Sequence, residues 1–257
     1  MIAPRTRLSR RETLAGAGAV GLGALISACG GESGSSAEVT TTDGGTATVE
    51  PRSNGNLAAL FDDSSSCTLT PEETEGPYYF DADAIRTDIR EDREGVELRL
   101  AIRVRDAACE PLRNAVVDIW HCDALGTYSG FEAASGGGPG GGFGSGPTDE
   151  ERYLRGAQVT DSDGIVEFTT IYPGWYTGRT VHIHTKVHVD TSTVLTTQLY
   201  FDEEITAAVY EREPYAADSG RDTFNDSDGL FNEQLLLDLS ERNDGYLGLI
   251  SFDVEAA

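Results

Sequence analysis

Positive charge is what this sequence most lacks. Over 257 residues, 19 Lys and Arg stand against 44 Asp and Glu, for a net charge of −25. A surface that grips phosphate needs a basic patch, so nucleic acid and anionic membrane surfaces are excluded as partners. Long apolar runs are missing too, none reaching the ~18 residues that cross a bilayer. The four cysteines include no Cys-x-x-Cys spacing, which argues against a thiolate metal site. With four histidines in the whole chain, any centre built from imidazole has few candidates.

Glycine and acid are plentiful, and both are unevenly spread. Residues 1–28 hold Arg5, Arg7, Arg10 and Arg11, then an uncharged Gly-rich apolar stretch from Ala15 to Ala28. This is the pattern of an export signal, and the glycines weigh against a helix there. Ser9-Arg10-Arg11-Glu12-Thr13-Leu14 resembles a twin-arginine signal, and Ile26-Ser27-Ala28-Cys29 resembles a bacterial lipobox. The implied product is exported and extracytoplasmic, held to the cell membrane only through a lipidated Cys29. Residues 29–66, rich in Gly, Ser, Thr and acids with little to bury, read as a disordered tether. The folded domain is expected over 67–257. An oxidising compartment permits one disulfide among Cys67, Cys109 and Cys122. Cys67–Cys109 is favoured, as a staple anchoring the domain's N-terminal arm, with 67–122 and 109–122 left open.

From Cys67 onward the dominant period is two. Val96, Leu98, Leu100, Ile102 and Val104 alternate with Glu97, Arg99, Arg103 and Arg105, as on a half-buried strand. Similar runs follow at 115–121, 164–171, 181–189, 194–201 and 246–254. Helical signal is weak, with Asp202 as cap of a short helix through Glu211 that Pro214 stops. The fold class expected is all-β: a two-sheet β-sandwich with short helices and long loops. The low-complexity run 135–147 lacks a Gly-Lys-Ser/Thr ending and reads as a surface loop, not a phosphate cradle.

Three of the four histidines fall in Val181-His182-Ile183-His184-Thr185-Lys186-Val187-His188. Alternate strand residues share a face, so His182 and His184 point the same way with roots ~6.6 Å apart. His188 would lie ~13 Å from His184 and belongs on a solvated edge. His121 reads as structural. A His-x-His pair needs further ligands, and Glu167 is the one acid between Asp163 and Asp190. Tyr176, after Pro173-Gly174-Trp175, and Tyr128, ending the 120–128 segment, are the candidates. Phenolates are hard anionic donors that suit ferric iron, whose charge lowers the phenol pKa from ~10.

At this point the residues resemble a family, the intradiol ring-cleavage dioxygenases that include catechol 1,2- and protocatechuate 3,4-dioxygenase. The resemblance is carried by Thr70-Pro71-Glu72-Glu73-Thr74-Glu75-Gly76-Pro77-Tyr78-Tyr79, the 120–128 motif, Pro173-Gly174-Trp175-Tyr176, Arg179-x-x-His182-x-His184 and Thr197-Gln198-Leu199-Tyr200. These stand in the family's order and span most of 67–201. The resemblance implies a prealbumin-like core and a non-haem Fe(III) centre, with Tyr128 and His182 as equatorial ligands and Tyr176 and His184 as axial ones. It implies that Arg179 and Gln198 line the pocket, that Arg179 stabilises negative charge on the ring, and that Tyr176 takes one catechol proton. The substrates implied are a catechol-type ring and dioxygen, and the product a muconate-type diacid. Arg179 falls on the wrong pleat for this role unless the chain bends, as Gly178 permits. Tyr78 and Tyr79 read either as substrate contacts or as packing residues. The stretch from Tyr176 to His182 is shorter than in the well-known soluble enzymes. No helical dimerisation domain is expected before the sandwich, and Cys122-Asp123 stands where a small polar pair is usual. Two rivals share parts of the pattern. One is a prealbumin-like carbohydrate- or surface-binding module, with its Thr-Asp-x-x-Gly and Pro-Gly-x-Tyr pieces between Thr160 and Tyr176. The other is a divalent-metal hydrolase using the two histidines and a distant acid. The His182/His184 pair favours the dioxygenase over the binding module.

Overall fold

The computed structural model describes residues 37–40, 46–49, 55–61, 67–82, 84–132, 147–189 and 192–256. Among the described residues ten strands form: β1 (Ala37–Thr40), β2 (Thr46–Val49), β3 (Glu97–Asp106), β4 (Val116–Trp120), β5 (Arg155–Val159), β6 (Ile165–Ile171), β7 (His182–Val189), β8 (Ser192–Tyr200), β9 (Asp238–Arg242) and β10 (Gly245–Val254). Eight of them build two four-stranded sheets, in the orders β6-β3-β10-β9 and β5-β4-β7-β8. All neighbours are antiparallel except β3 and β10. The period-two pattern is satisfied by a shared core. Leu98, Leu100, Ile102, Phe168, Ile250 and Phe252 of one sheet face Val117, Ile119, Ile183, Val187, Leu195 and Leu199 of the other. This is the two-sheet sandwich expected from the alternation.

The expected helix is α1 (Glu203–Tyr210). Asp202 Oδ1 accepts from the amides of Glu204 and Ile205, and the helix closes at Glu211 before Pro214. Two strands of the sandwich went unpredicted. β5, Arg-Gly-Ala-Gln-Val, carries too few apolar residues to announce itself. β9 is a polar edge strand, although the Asn243-Asp244-Gly245 turn behind it was a legible hairpin signal.

The staple forms between Cys67 and Cys109, leaving Cys122 buried and reduced. The twin-arginine and lipobox motifs lie outside the described residues, as does the run 135–147 apart from Pro147. Inside the segment read as a tether, β1 pairs with β2 and a 3-10 turn covers Gly55–Leu60. Leu57 and Phe61 pack on Ala101 and Ile165, on the outer face of the first sheet. The departure at these residues has a simple cause: three apolar side chains, Leu57, Leu60 and Phe61, interrupt the polar composition, and two of them find an apolar patch to cover.

The outer face of β5-β4-β7-β8 is covered by an arm of the chain. This arm runs from Cys67 to Arg90, with Glu73 N on Thr196 O (2.8 Å), Thr197 Oγ1 on Pro71 O (2.8 Å) and Arg86 N on Ala157 O (3.1 Å). The arm is fixed at its start by Asp253, whose carboxylate accepts from Thr68 N and whose amide donates to Thr70 Oγ1 at 2.9 Å. The same carboxylate holds buried Arg105 at 2.7 Å. Asp253→Ala should therefore cost roughly 3–5 kcal/mol by stranding a buried guanidinium, and should loosen the arm. A urea midpoint, with proteolysis between residues 67 and 82, measures both effects; an unchanged midpoint would contradict the assignment.

Candidate metal centre

Because the arm covers the outer face, alternation in exposure vanishes along β7: its first four residues are all buried. His182 and His184 point outward from the sheet into this covered space and are 2% and 1% exposed. Their Nε2 atoms stand 3.1 Å apart. His182 Nδ1 lies 2.6 Å from Thr180 O, a contact that requires the proton on Nδ1 and leaves the Nε2 lone pair aimed into the site. His184 lies flat on Trp120, ring centroids 4.9 Å apart and planes 3° from parallel. Gly76 of the arm closes over it; a Cβ there would sit 3.0 Å from His184 Cε1.

The two tyrosines arrive on turns. After β4 the chain makes a tight loop in which Asp123 Oδ1 accepts from the amides of Leu125 (2.9 Å) and Thr127 (3.0 Å), and Gly126 takes φ +80°. This returns Tyr128 to a buried cluster with Trp120. The Pro173-Gly174-Trp175-Tyr176 turn docks on that loop through Gly174 N to Asp123 O at 3.0 Å. The approach is so close that a Cβ on Gly126 would meet Trp175 O at 2.1 Å, and one on Gly174 would meet Asp123 O at 2.5 Å. The docking brings the two phenols together, with ring centroids 5.7 Å apart. Tyr176 Oη then lies 3.0 Å from His182 Nε2.

All four residues singled out as ligands thus converge. Burial pushes the phenols of Tyr128 and Tyr176 up and the imidazoles of His182 and His184 down. All four are held uncharged, with lone pairs crowding one dry spot. That donor set fits a hard, highly charged cation, which would reverse the cost of ionising the phenols. The hydrolase alternative finds no support, since among the described residues no group of three or more His, Cys, Asp or Glu is placed to share an ion.

Arg179 does turn into the site. Gly178 adopts φ +87° with open space around its α-carbon, so it serves the bend and not the packing. The guanidinium bonds Asp228 Oδ2 at 2.9 Å and Gln198 Oε1 at 2.5 Å. Gln198, opposite His184 in register, donates in turn to Thr74 O of the arm at 3.0 Å.

A family model described as Dioxygenase matches residues 74–245. The chain belongs to the intradiol ring-cleavage dioxygenase family. It is 34% identical to an intradiol ring-cleavage dioxygenase from Tetranychus urticae, whose structure it matches with TM-score 0.69 over 74% of this chain and 95% of that one. The dioxygenase domain of a dioxygenase carbohydrate-binding protein fusion from Streptomyces sp. SirexAA-E is 31% identical, with TM-score 0.54 over 74% of this chain and 100% of that one. Chlorocatechol 1,2-dioxygenase of Rhodococcus opacus is 28% identical over 158 residues, 52% of this chain and 56% of that protein. The chain spans about half the length of the curated relatives it matches.

The two tyrosines left open between substrate contact and packing take different places. Tyr78 stacks on Tyr128 at 4.6 Å and meets Tyr176 edge-on at 6.3 Å, so it walls the centre. Tyr79 faces the other way, onto Trp120 and over Lys186, and is a packing residue. Thr180 and Asp228, which hold His182 and Arg179, carried no motif. His121 is structural as expected, bonded at 2.7 Å to both Cys122 O and Thr170 Oγ1. The expectation of a solvated edge for His188 is wrong. β7 lies inside its sheet, and His188 is half-buried between Val116 and Thr193.

Gly126→Ala is expected to destabilise by more than the roughly 1–3 kcal/mol of a strained φ alone, because Trp175 O must also move. Gly178→Ala should lose only the strain. Urea midpoints and the near-ultraviolet tyrosine dichroism of both variants test this; equal losses would show that the docking of the two turns is not what holds Tyr176.

Proposed function

We propose that this protein is a ferric dioxygenase that uses dioxygen to open catechol-type rings between the two hydroxylated carbons, giving muconate-type diacids. The observation that carries the reading is the meeting of Tyr128, Tyr176, His182 and His184 at one buried point in a chain of this family. A ferric ion held by these four would supply the charge that acidifies catechol hydroxyls and would accept electron density from the bound catecholate.

The remaining work falls to side chains. Tyr176, ionised once a ferric ion is held, would accept a catechol proton; its Oη stands against His182. His182 is kept in one tautomer by Thr180 O, so its Nε2 is always the donor atom presented. Arg179, already oriented by Asp228 and Gln198, brings fixed positive charge beside the four donors without reorganising. Tyr78 and the arm exclude water, which strengthens every charge interaction inside. The names of the relatives support catechol and chlorocatechol as the first compounds to try.

The purified protein loaded with Fe(III) should be red-brown from tyrosinate charge transfer and should consume dioxygen when given catechol. Tyr176→Phe and His182→Ala should each bleach the colour and lower turnover by at least about a hundredfold, taking the loss of an electrostatic contact made at the reacting centre as the scale. Retained colour in both variants would reject this ligand set. We further propose that the enzyme works outside the cytoplasm, anchored at Cys29, a reading supported by the Cys67–Cys109 disulfide. Cys29→Ser should release it from the membrane fraction; continued membrane association would reject the anchor.

A further inference from the structure

Arg155 opens β5 opposite Trp120 and is 1% exposed, more deeply buried than any other arginine of the described chain. Three other guanidinium groups of low exposure face carboxylates: Arg105 has Asp253 at 2.7 Å, Arg179 has Asp228 at 2.9 Å and Arg221 has Glu203 at 2.6 Å. Arg155 has none within ion-pair distance among the described residues. Its Nε donates to Ser129 Oγ at 2.9 Å and its Nη2 to Ser129 O at 2.8 Å, while Nη1 is buried without a hydrogen-bond partner. Around it stand aromatic rings, with Phe80 at 4.2 Å, Phe131 at 5.8 Å and Tyr128 at 6.0 Å from the guanidinium carbon. A cation in a dry aromatic cage, with no anion, is costly to keep. Cation–π attraction offsets part of that cost.

The missing anion is next door. Both hydrogen bonds of the Arg155 guanidinium go to the residue that follows Tyr128, and its charge lies over the ring of Tyr128 itself. We propose that Arg155 is a positioning residue for Tyr128, fixing the backbone beside it and supplying the standing positive charge that the Tyr128 oxygen meets once it binds a ferric ion. The proposal rests on the ferric function proposed for this centre. Two further observations agree with it. Burial pulls the guanidinium down to about 10, as expected of a cation without a paired carboxylate. The carboxyl that also acts on it, Asp118, is pushed up to about 8 by its own burial, which weakens its hold on Arg155. The cage also keeps Arg155 from the substrate, so its role is exerted on the ligand and not on the ring being opened.

The test titrates apo protein with Fe(III) against a competing chelator, and in parallel with Ga(III), which is trivalent and redox-inert. Arg155→Met is compared with Arg155→Lys, each checked for folding by circular dichroism; Arg155→Gln, which retains a donor for Ser129, replaces the Met variant should that one not fold. The neutral variant should bind both ions at least about tenfold more weakly, the scale of a lost charge contact at this range. Its tyrosinate band should move to longer wavelength, because the phenolate electrons are less stabilised. Arg155→Lys should recover most of the affinity and the wild-type band. A folded neutral variant with unchanged affinity and band overturns the proposal, and so does a Lys variant as impaired as the neutral one. Wild-type protein that takes up no ferric ion and stays colourless would instead reject the ferric reading itself.

Discussion

The centre depends on one close contact between two turns. The loop closed by Asp123 and the turn carrying Pro173-Gly174-Trp175-Tyr176 approach backbone to backbone, at a distance that only Gly126 and Gly174 allow. Tyr128 leaves one turn and Tyr176 the other, so their separation is set where the two backbones meet. The histidines need no such device. They sit two apart on an interior strand, where the pleat alone aims both at the same point.

Burial then decides the chemistry. Exposed on a sheet face, the same four groups would be hydrated and ordinary in their acidity. Beneath the arm, phenols and imidazoles alike are pushed toward their neutral forms, and their lone pairs face each other at hydrogen-bond distance. Such a spot discriminates strongly by charge, because a cation of high charge turns the same desolvation from penalty into binding strength. The fixed charges nearby follow a consistent plan. Arg179 is paired with Asp228, which fixes its orientation, whereas Arg155 has no carboxylate at ion-pair distance among the described residues and lies beside the ring of Tyr128.

Sequence reading reached the parts of this plan that are written locally. Alternation at Val96–Val104 and around His182 announced strands, Asp202 announced a helix, and Gly178 announced the bend that turns Arg179 inward. The motifs named Tyr128 and Tyr176, but nothing in composition or period says that they meet; that follows from the docking of two turns far apart along the chain. Contacts across the chain were invisible for the same reason. Asp228 reaches Arg179 and Thr180 from a loop with no motif, and Arg155 lies in a strand whose Gly-Ala-Gln sequence gives no period. The error at His188 came from treating its strand as an edge, a matter of sheet order that a single strand cannot reveal.

The staple at the start of the domain connects to this centre through the arm. Cys67 is tied to Cys109, and Asp253 then holds Thr68 and Thr70 while neutralising Arg105. From there the arm runs along β8 to Gly76, which rests on His184, and to Tyr78, which rests on Tyr128. The cover over the donors is thus a segment with little core of its own, held at one end by a covalent bond and a buried ion pair and at the other by the residues it covers. Order in the arm and dryness at the centre are therefore one property: a chain that lost either anchor would admit water to the four donors before the sandwich itself came apart.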